Sequence, residues 1–119
     1  MPARLRPGAP EEVAAALARV DAAAARPADW RLLTKHFLAL LEARAPGRSV
    51  EVRVPPYAAV QVIEGVRHTR GTPPAVVETD AATWVAVATG RLSWSEAVTA
   101  GQVRASGERT DLAPYLPLG

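Results

Sequence analysis

The N-terminal part of the chain contains two stretches in which apolar side chains recur at helical spacing. In the alanine-rich segment 10–25 the larger apolar residues stand at i, i+4 and i+7, which predicts a helix with one narrow apolar stripe. A second helix is predicted from Asp29, a candidate N-cap, to about Ala45, and its apolar stripe is wider. Pro27 and Pro46 interrupt the pattern, because proline disfavours helical backbone in the residue before it.

The pattern then changes to the period of two that is typical of a half-buried strand. Three valines alternate with Glu51 and Arg53 over residues 49–54, and a second strand is predicted over 57–64. A short proline break separates these segments, so they are expected to pair as antiparallel neighbours. A third short strand is predicted over 75–79.

Two short helices are predicted after the third strand. The first spans 81–89, with Thr79 or Asp80 as its cap. The second follows Ser93, whose spacing from Glu96 is that of a capping box.

A last strand over 102–106 and a closing helical turn or two through Leu112 and Leu116 complete the pattern. Helices therefore precede and follow strands that are expected to form an antiparallel meander. This order is typical of the α+β class, with the helices packed on one face of the sheet.

The length of 119 residues fits one domain, and the composition, 49% apolar and 22% charged, is that of a globular chain. We expect residues 1–119 to form a single domain, with a flexible lead-in at 1–9, N-terminal helices at 10–47, and the sheet and closing helices at 48–119. No apolar run approaches the roughly 20 residues of a bilayer span, and no signal peptide is evident. We therefore expect no integral membrane association and a cytoplasmic location.

The residue types exclude several kinds of function. The chain has no cysteine, which excludes disulfides, zinc–cysteine sites, iron–sulfur clusters and thiolate nucleophiles. The net charge of +2 comes without a dense basic stripe interleaved with aromatics, so nucleic acid is not an expected partner. No metal-ligand spacing, G-x-S-x-G turn or glycine-rich phosphate loop is present, so we expect no cofactor, and a hydrolase has no positive support from the sequence motifs.

The two histidines offer the remaining polar chemistry. His36 lies mid-helix on the flank of the apolar stripe and is expected to be a surface or half-buried helix residue. His68 lies between Arg67 and Arg70 in segment 65–74, which is predicted to be a loop or a short strand running into a loop. Two guanidinium groups on a glycine-containing backbone suit a phosphate or carboxylate, although a solvated turn is the simpler interpretation.

The C-terminal segment 74–118 shows an ordered set of motifs. A strand, a polar helix start, a helix ending in Gly-Arg, a short helix, a glycine-led strand and a closing apolar segment follow one another. The residues that carry these motifs are Glu78–Trp84, Ala88–Arg91, Ser93–Val98, Gly101–Gly107 and Asp111–Leu112. In this order and spacing the segment resembles the sterol carrier protein type 2 family, in its small bacterial branch. The resemblance implies a five-stranded, antiparallel or mixed sheet with helices on one face, an enclosed apolar tunnel for acyl chains or sterols, and no catalysis.

On this resemblance we expect a lipid-like ligand to lie between the helices and the sheet. The expected lining residues are Phe37, Leu41, Val60, Val62, Trp84, Val87, Trp94 and Leu116. Arg67 and Arg70 are expected to bind the headgroup of the ligand.

Three other interpretations stay open at this point. The same apolar side chains would also line a filled core, because periodicity does not distinguish a filled core from a dry cavity. In that case the protein would be a structural or interaction protein that binds a partner, or forms a homodimer, through its sheet face or the helix at 30–45. A similar domain also occurs as an accessory part of mycothiol-dependent enzymes, so a role beside a thiol-dependent enzyme is a second alternative. An enzyme would need a polar site around His68.

Overall fold

Four helices, four strands and one 3₁₀ turn form the part of the chain that the computed structural model describes, residues 4–65, 75–107 and 110–119. In chain order these elements are α1 (Pro10–Asp21), α2 (Pro27–Arg44), β1 (Val50–Val54), β2 (Ala58–Val62), β3 (Ala75–Thr79), α3 (Ala81–Ala88), α4 (Trp94–Thr99), β4 (Val103–Ser106) and the 3₁₀ turn (Ala113–Tyr115). The predicted order of helices and strands is confirmed, and the class is α+β.

Helix α1 is shorter than the pattern predicts. It begins at Pro10, with Glu11 and Glu12 in the first turn. Their negative charges interact favourably with the positive end of the helix dipole. It ends at Asp21, before the predicted end at residue 25, because Ala23 adopts left-handed backbone with a φ of +56°. An alanine run does not encode this turn, so the sequence pattern continues past it.

The prediction that Asp29 is the N-cap of α2 is wrong. The helix begins at Pro27, and Arg26 is its capping residue. Proline suits the first helical position because its missing N–H would have no partner there. Asp29 lies inside the first turn, and its carboxylate accepts a hydrogen bond of 3.0 Å from the backbone N–H of Arg26. Asp29 thus stabilises the helix start from within the helix.

The predicted caps of the two later helices are confirmed. Asp80 precedes α3, and its Oδ1 accepts a hydrogen bond of 2.8 Å from the backbone N–H of Thr83. Ser93 precedes α4, and its Oγ accepts one of 3.1 Å from the backbone N–H of Glu96. These side chains satisfy N–H groups that have no partner within the helix.

The four strands form one mixed sheet in the order β2-β1-β3-β4. β1 pairs with β2 in antiparallel register, as predicted, and β3 pairs with β4 in the same way. The predicted meander is wrong, because β1 and β3 are parallel neighbours. The described residues form four strands instead of the five that the resemblance implied, and segment 66–74 lies outside them.

The two faces of the sheet differ in polarity, as the alternation in β1 predicts. The face covered by the helices carries the buried residues Val50, Val52, Val54, Val60, Val62, Val77 and Val103. The opposite face carries Arg53, Gln61 and Arg104, which are exposed, and the half-buried Glu51 and Glu78. The apolar core therefore lies between one sheet face and the helices.

A tight backbone junction joins the end of α2 to the end of β2. Ile63 has left-handed backbone with a φ of +67°, and its N–H donates to the carbonyl of Ala45 at 2.7 Å. The carbonyl of Ile63 in turn accepts hydrogen bonds from the backbone N–H and the Oγ of Ser49, at 3.0 and 2.6 Å. These contacts place β2 beside the C-terminal end of α2.

The C-terminal segment is fastened to both α2 and α3. Arg44 donates from Nη1 to the carbonyls of Tyr115 and Pro117, at 2.9 and 2.8 Å. The N–H of Leu118 donates to the carbonyl of Ala88 at 2.7 Å, and the Leu118 side chain is buried. The predicted closing helical segment is a single 3₁₀ turn. Hydrogen bonds from Arg44 and to Ala88, both distant in sequence, hold this segment in place.

Candidate functional site

The predicted lining residues that the structure describes converge on one apolar cluster. Seven of them are at most 8% exposed: Phe37, Leu41, Val60, Val62, Trp84, Val87 and Trp94. Leu116 is half-buried and packs against the edge of the cluster. Arg67, Arg70 and His68 lie outside the described residues.

Four elements bring these side chains together. Helices α2 and α3 and strand β2 each contribute two of the seven buried residues, and α4 contributes one. The indole N–H of Trp84 donates to the backbone carbonyl of Thr34 at 3.3 Å, which ties α3 to α2 inside the core. An aromatic side chain of this kind combines a large apolar surface with one polar group that needs a partner.

Thr34 is the residue of this core that the sequence analysis missed. Its side chain is fully buried, and in the part of the chain that the structure describes its Oγ1 has no hydrogen-bond partner. Leaving a buried hydroxyl without a partner costs about 1–3 kcal/mol. The sequence feature that could have identified Thr34 is a threonine on the apolar face of the predicted helix, one position after Leu33.

None of the predicted lining residues borders either of two open pockets that described residues form. The first, of about 500 Å³, is lined by Pro55, Glu78, Thr79, Asp80, Gly101, Gln102 and Arg104. The second, of about 420 Å³, lies between α1 and α2 and is lined by Glu11, Glu12, Ala15, Arg19, Ala28, Asp29 and Leu32. Both contain charged side chains, so neither has the chemistry of an apolar tunnel.

The buried carboxylate beside the second pocket holds α1 against α2. Asp29 is 2% exposed and accepts two hydrogen bonds from Arg19, at 2.9 and 2.8 Å. The Arg19 guanidinium and, next, the backbone N–H of Arg26 hold the pKa of the Asp29 carboxyl well below its ordinary range. A carboxyl whose pKa is lowered in this way is a weak base, and its hydrogen bonds join α1 to the start of α2.

A second ion pair holds the C-terminal end of α1. Asp21 accepts hydrogen bonds from Arg91 at 3.0 and 2.8 Å, and these bonds lower the pKa of the Asp21 carboxyl. Arg91 follows α3, so the pair joins α1 to the part of the molecule that carries the core.

His36 is half-buried on α2, as the sequence predicts, and it has a specific partner. Its Nδ1 accepts a hydrogen bond of 2.9 Å from the backbone N–H of Gly8. Its ring also packs edge-on against Phe37, with the ring centres 4.8 Å apart.

Within the described residues no group of three or more histidines and carboxylates could hold a metal ion. No described helix is both long and apolar enough to cross a bilayer.

A comparison with known protein families finds a match over residues 26–118. The model of a family described as "bacterial SCP ortholog" matches this range, which is more than three quarters of the chain. No curated protein matches the chain. The matched range begins at the cap of α2 and leaves α1 and the residues before it outside.

Proposed function

This chain belongs to the family of bacterial sterol carrier protein orthologs, and on that premise we propose that it is a non-enzymatic carrier of an apolar, lipid-like ligand. The family match confirms the resemblance found in segment 74–118 and extends it back to Arg26. The proposed ligand is a fatty acyl chain or a sterol-like molecule, held between the helices and the apolar face of the sheet. We place this carrier in the cytoplasm, and it requires no cofactor.

The convergence of the predicted lining residues is the observation that carries this proposal. Side chains from α2, β2, α3 and α4 meet in one apolar cluster, although the segments are far apart in sequence. Transfer of a ligand from water to such surroundings would contribute about 0.8 kcal/mol for each buried CH₂ group. The affinity would therefore rise with the length of the acyl chain.

Thr34 gives a second, independent line of support. A core built for packing alone is expected to avoid a buried hydroxyl without a partner, because valine has the same shape and no such cost. The hydroxyl of Thr34 would instead be available to a polar atom that the ligand carries besides its carboxylate, such as the hydroxyl of a sterol-like molecule, if that atom enters beside Trp84. We further propose that Arg67 and Arg70 bind the ligand's carboxylate.

A brominated fatty acid tests this location directly, because bromine quenches tryptophan emission at near contact. We expect saturable quenching in the wild-type protein, and we expect the double variant Trp84→Phe with Trp94→Phe to remove most of it, because both tryptophans are proposed lining residues. Trp30→Phe is the matched control, since Trp30 is half-buried at the start of α2 and is not a proposed lining residue. Circular dichroism would show that each variant is folded. Absence of saturable quenching, or quenching that survives in the double variant and is lost in Trp30→Phe, would contradict the proposal.

The second candidate is an interaction protein with a filled core, which forms a homodimer or binds a partner protein. One observation favours it: seven of the predicted lining side chains are almost fully buried in one apolar cluster. Sedimentation, with native mass spectrometry of the purified protein, separates the two candidates. A dimer free of lipid supports the interaction protein, whereas a monomer that releases a lipid on mild denaturation supports the carrier.

A further inference from the structure

The N-terminal end of the chain lies outside the matched family range but is attached to it. Residues 4–9, here called the N-terminal strap, lead into α1, and both precede the range that begins at Arg26. Three polar contacts join the strap and α1 to the matched range: Gly8 with His36, Arg19 with Asp29, and Asp21 with Arg91. The first of these contacts holds the strap, and the other two hold α1.

The strap lies in close contact with both helices beneath it. A Cβ atom added to Gly8 would lie 2.9 Å from Cδ1 of Leu32 on α2 and 3.1 Å from Cγ2 of Val13 on α1. Leu5 is half-buried and packs against the apolar core. The strap thus covers part of the apolar surface of α2.

The hydrogen bond between Gly8 and His36 requires a neutral imidazole. The backbone N–H of Gly8 is a donor, so Nδ1 of His36 has to accept, and the ring proton then stands on Nε2. A protonated ring carries a proton on both nitrogens and has no acceptor. Protonation would therefore place two donors face to face across 2.9 Å.

We propose that His36 is a proton-operated latch for the N-terminal strap. When the ring takes up a proton at mildly acidic pH, the Gly8 N–H loses its acceptor and the strap leaves α2. Helix α1 stays in place, because the Arg19–Asp29 pair needs an ionised carboxylate and Asp29 remains ionised to far lower pH. Opening therefore releases Leu5 from the apolar surface while the rest of the fold is preserved. The latch does not depend on the identity of the ligand.

The surroundings of the ring favour its neutral form. The strap carries Arg4 and Arg6, the first turn of α1 carries Glu11 and Glu12, and Lys35 is the neighbour of His36 on α2. Among the described residues none of these groups forms an ion pair with the ring. Burial lowers the pKa of the His36 imidazole below its ordinary value of 6.5. The latch is therefore closed above this lowered pKa, and it opens as the pH falls through it.

Nuclear magnetic resonance of the full, ligand-free chain tests the latch without reference to lipid binding. We expect the Gly8 amide and the His36 ring to titrate with one midpoint, which lies below 6.5. Across that midpoint the backbone order parameters of the strap should fall from about 0.85 to below about 0.6. Those of α1 should stay unchanged.

Two variants complete the test. His36→Asn keeps an acceptor, because Oδ1 of asparagine is as many bonds from the backbone as Nδ1 of histidine, but it cannot take up a proton. Its strap should remain ordered throughout the titration. His68→Asn removes the other histidine and should leave the transition as it is in the wild type. The inference is overturned if the wild-type strap stays ordered while His36 titrates, if His36→Asn shows the same transition, or if His68→Asn abolishes it.

Discussion

At Gly47 the backbone of the connection between α2 and β1 touches the backbone of Ile63. A Cβ atom at this position would lie 2.1 Å from the carbonyl carbon of Ile63 and 2.3 Å from the N of Glu64. Real Cβ atoms do not approach backbone this closely, so the two chains would have to separate. The glycine is needed here for space as well as for its φ of +152°.

We predict that Gly47→Ala lowers the free energy of unfolding by about 3 kcal/mol, because it forces this junction apart. Gly101→Ala is the matched control. Gly101 also has a positive φ, of +74°, but no atom lies within 4 Å of an added Cβ, so the expected loss is about 1 kcal/mol. Urea unfolding measures both losses. Equal losses in the two variants would contradict the close approach as the cause.

Among the elements, α1 depends most clearly on contacts with another element. A helix of 12 residues is marginal in water by itself, so its stability has to come from packing and from its ion pairs. Val13 and Ala16 supply the buried apolar contact, and Asp29 supplies a buried charge that binds Arg19.

We predict that Asp29→Asn lowers stability at neutral pH and that the difference from the wild type shrinks in acid. The folded pKa of Asp29 lies below its ordinary value of 3.8, so the ionised carboxylate stabilises the fold above that value. This contribution is lost as the pH falls through the lowered pKa. Urea unfolding at pH 7 and near pH 3 measures the change.

Glu12→Gln is the control for this prediction. Glu12 is an exposed carboxylate on α1, the helix that Asp29 binds through Arg19, and it forms none of the described ion pairs. This variant should lower stability at pH 7 by less than Asp29→Asn does, because an exposed carboxylate in the first turn of a helix contributes only about 0.3–1 kcal/mol. A difference between Asp29→Asn and the wild type that is the same at both pH values would show that charge is not the cause.

At the scale of the whole molecule, the proposed ligand spans two regions. Its apolar chain would lie in the core between helices and sheet, and its carboxylate would meet Arg67 and Arg70 in segment 66–74. The two parts of the ligand would then make separate contributions to affinity, one apolar and one charged.

We predict that the double variant Arg67→Gln with Arg70→Gln weakens fatty acid binding by at least about tenfold, because the loss of even one hydrogen bond to a charged group costs about 1.5–3 kcal/mol and about 1.4 kcal/mol is a factor of ten. Binding of the methyl ester, which has no charge, should not change. Arg104→Gln is the control, since Arg104 is exposed on the polar face of the sheet. Equal weakening of acid and ester, or an equal effect of Arg104→Gln, would contradict this role in a fluorescence titration.

The elements and the family were predictable because their signals are local. Ser93 and Asp80 cap helices through bonds to residues three positions away, so their spacing is visible in the sequence. Asp29 misled the prediction because the same residue type favours a cap and also suits the first turn of a helix, and Pro27 decided between them. The apolar residues of the core were recognisable by their periodicity.

What the sequence determined by itself was the set of helices and strands, the polar and apolar faces of each, and the absence of cysteine chemistry. The tertiary structure alone decided that β1 lies parallel to β3, that Gly8 bonds to His36 across 28 positions, and that Thr34 is buried without a described partner. The physical reason is the distance along the sequence between the residues that make these contacts. A periodic pattern records which residues share a face within one element, whereas the free energy of these contacts depends on how separate elements meet in space.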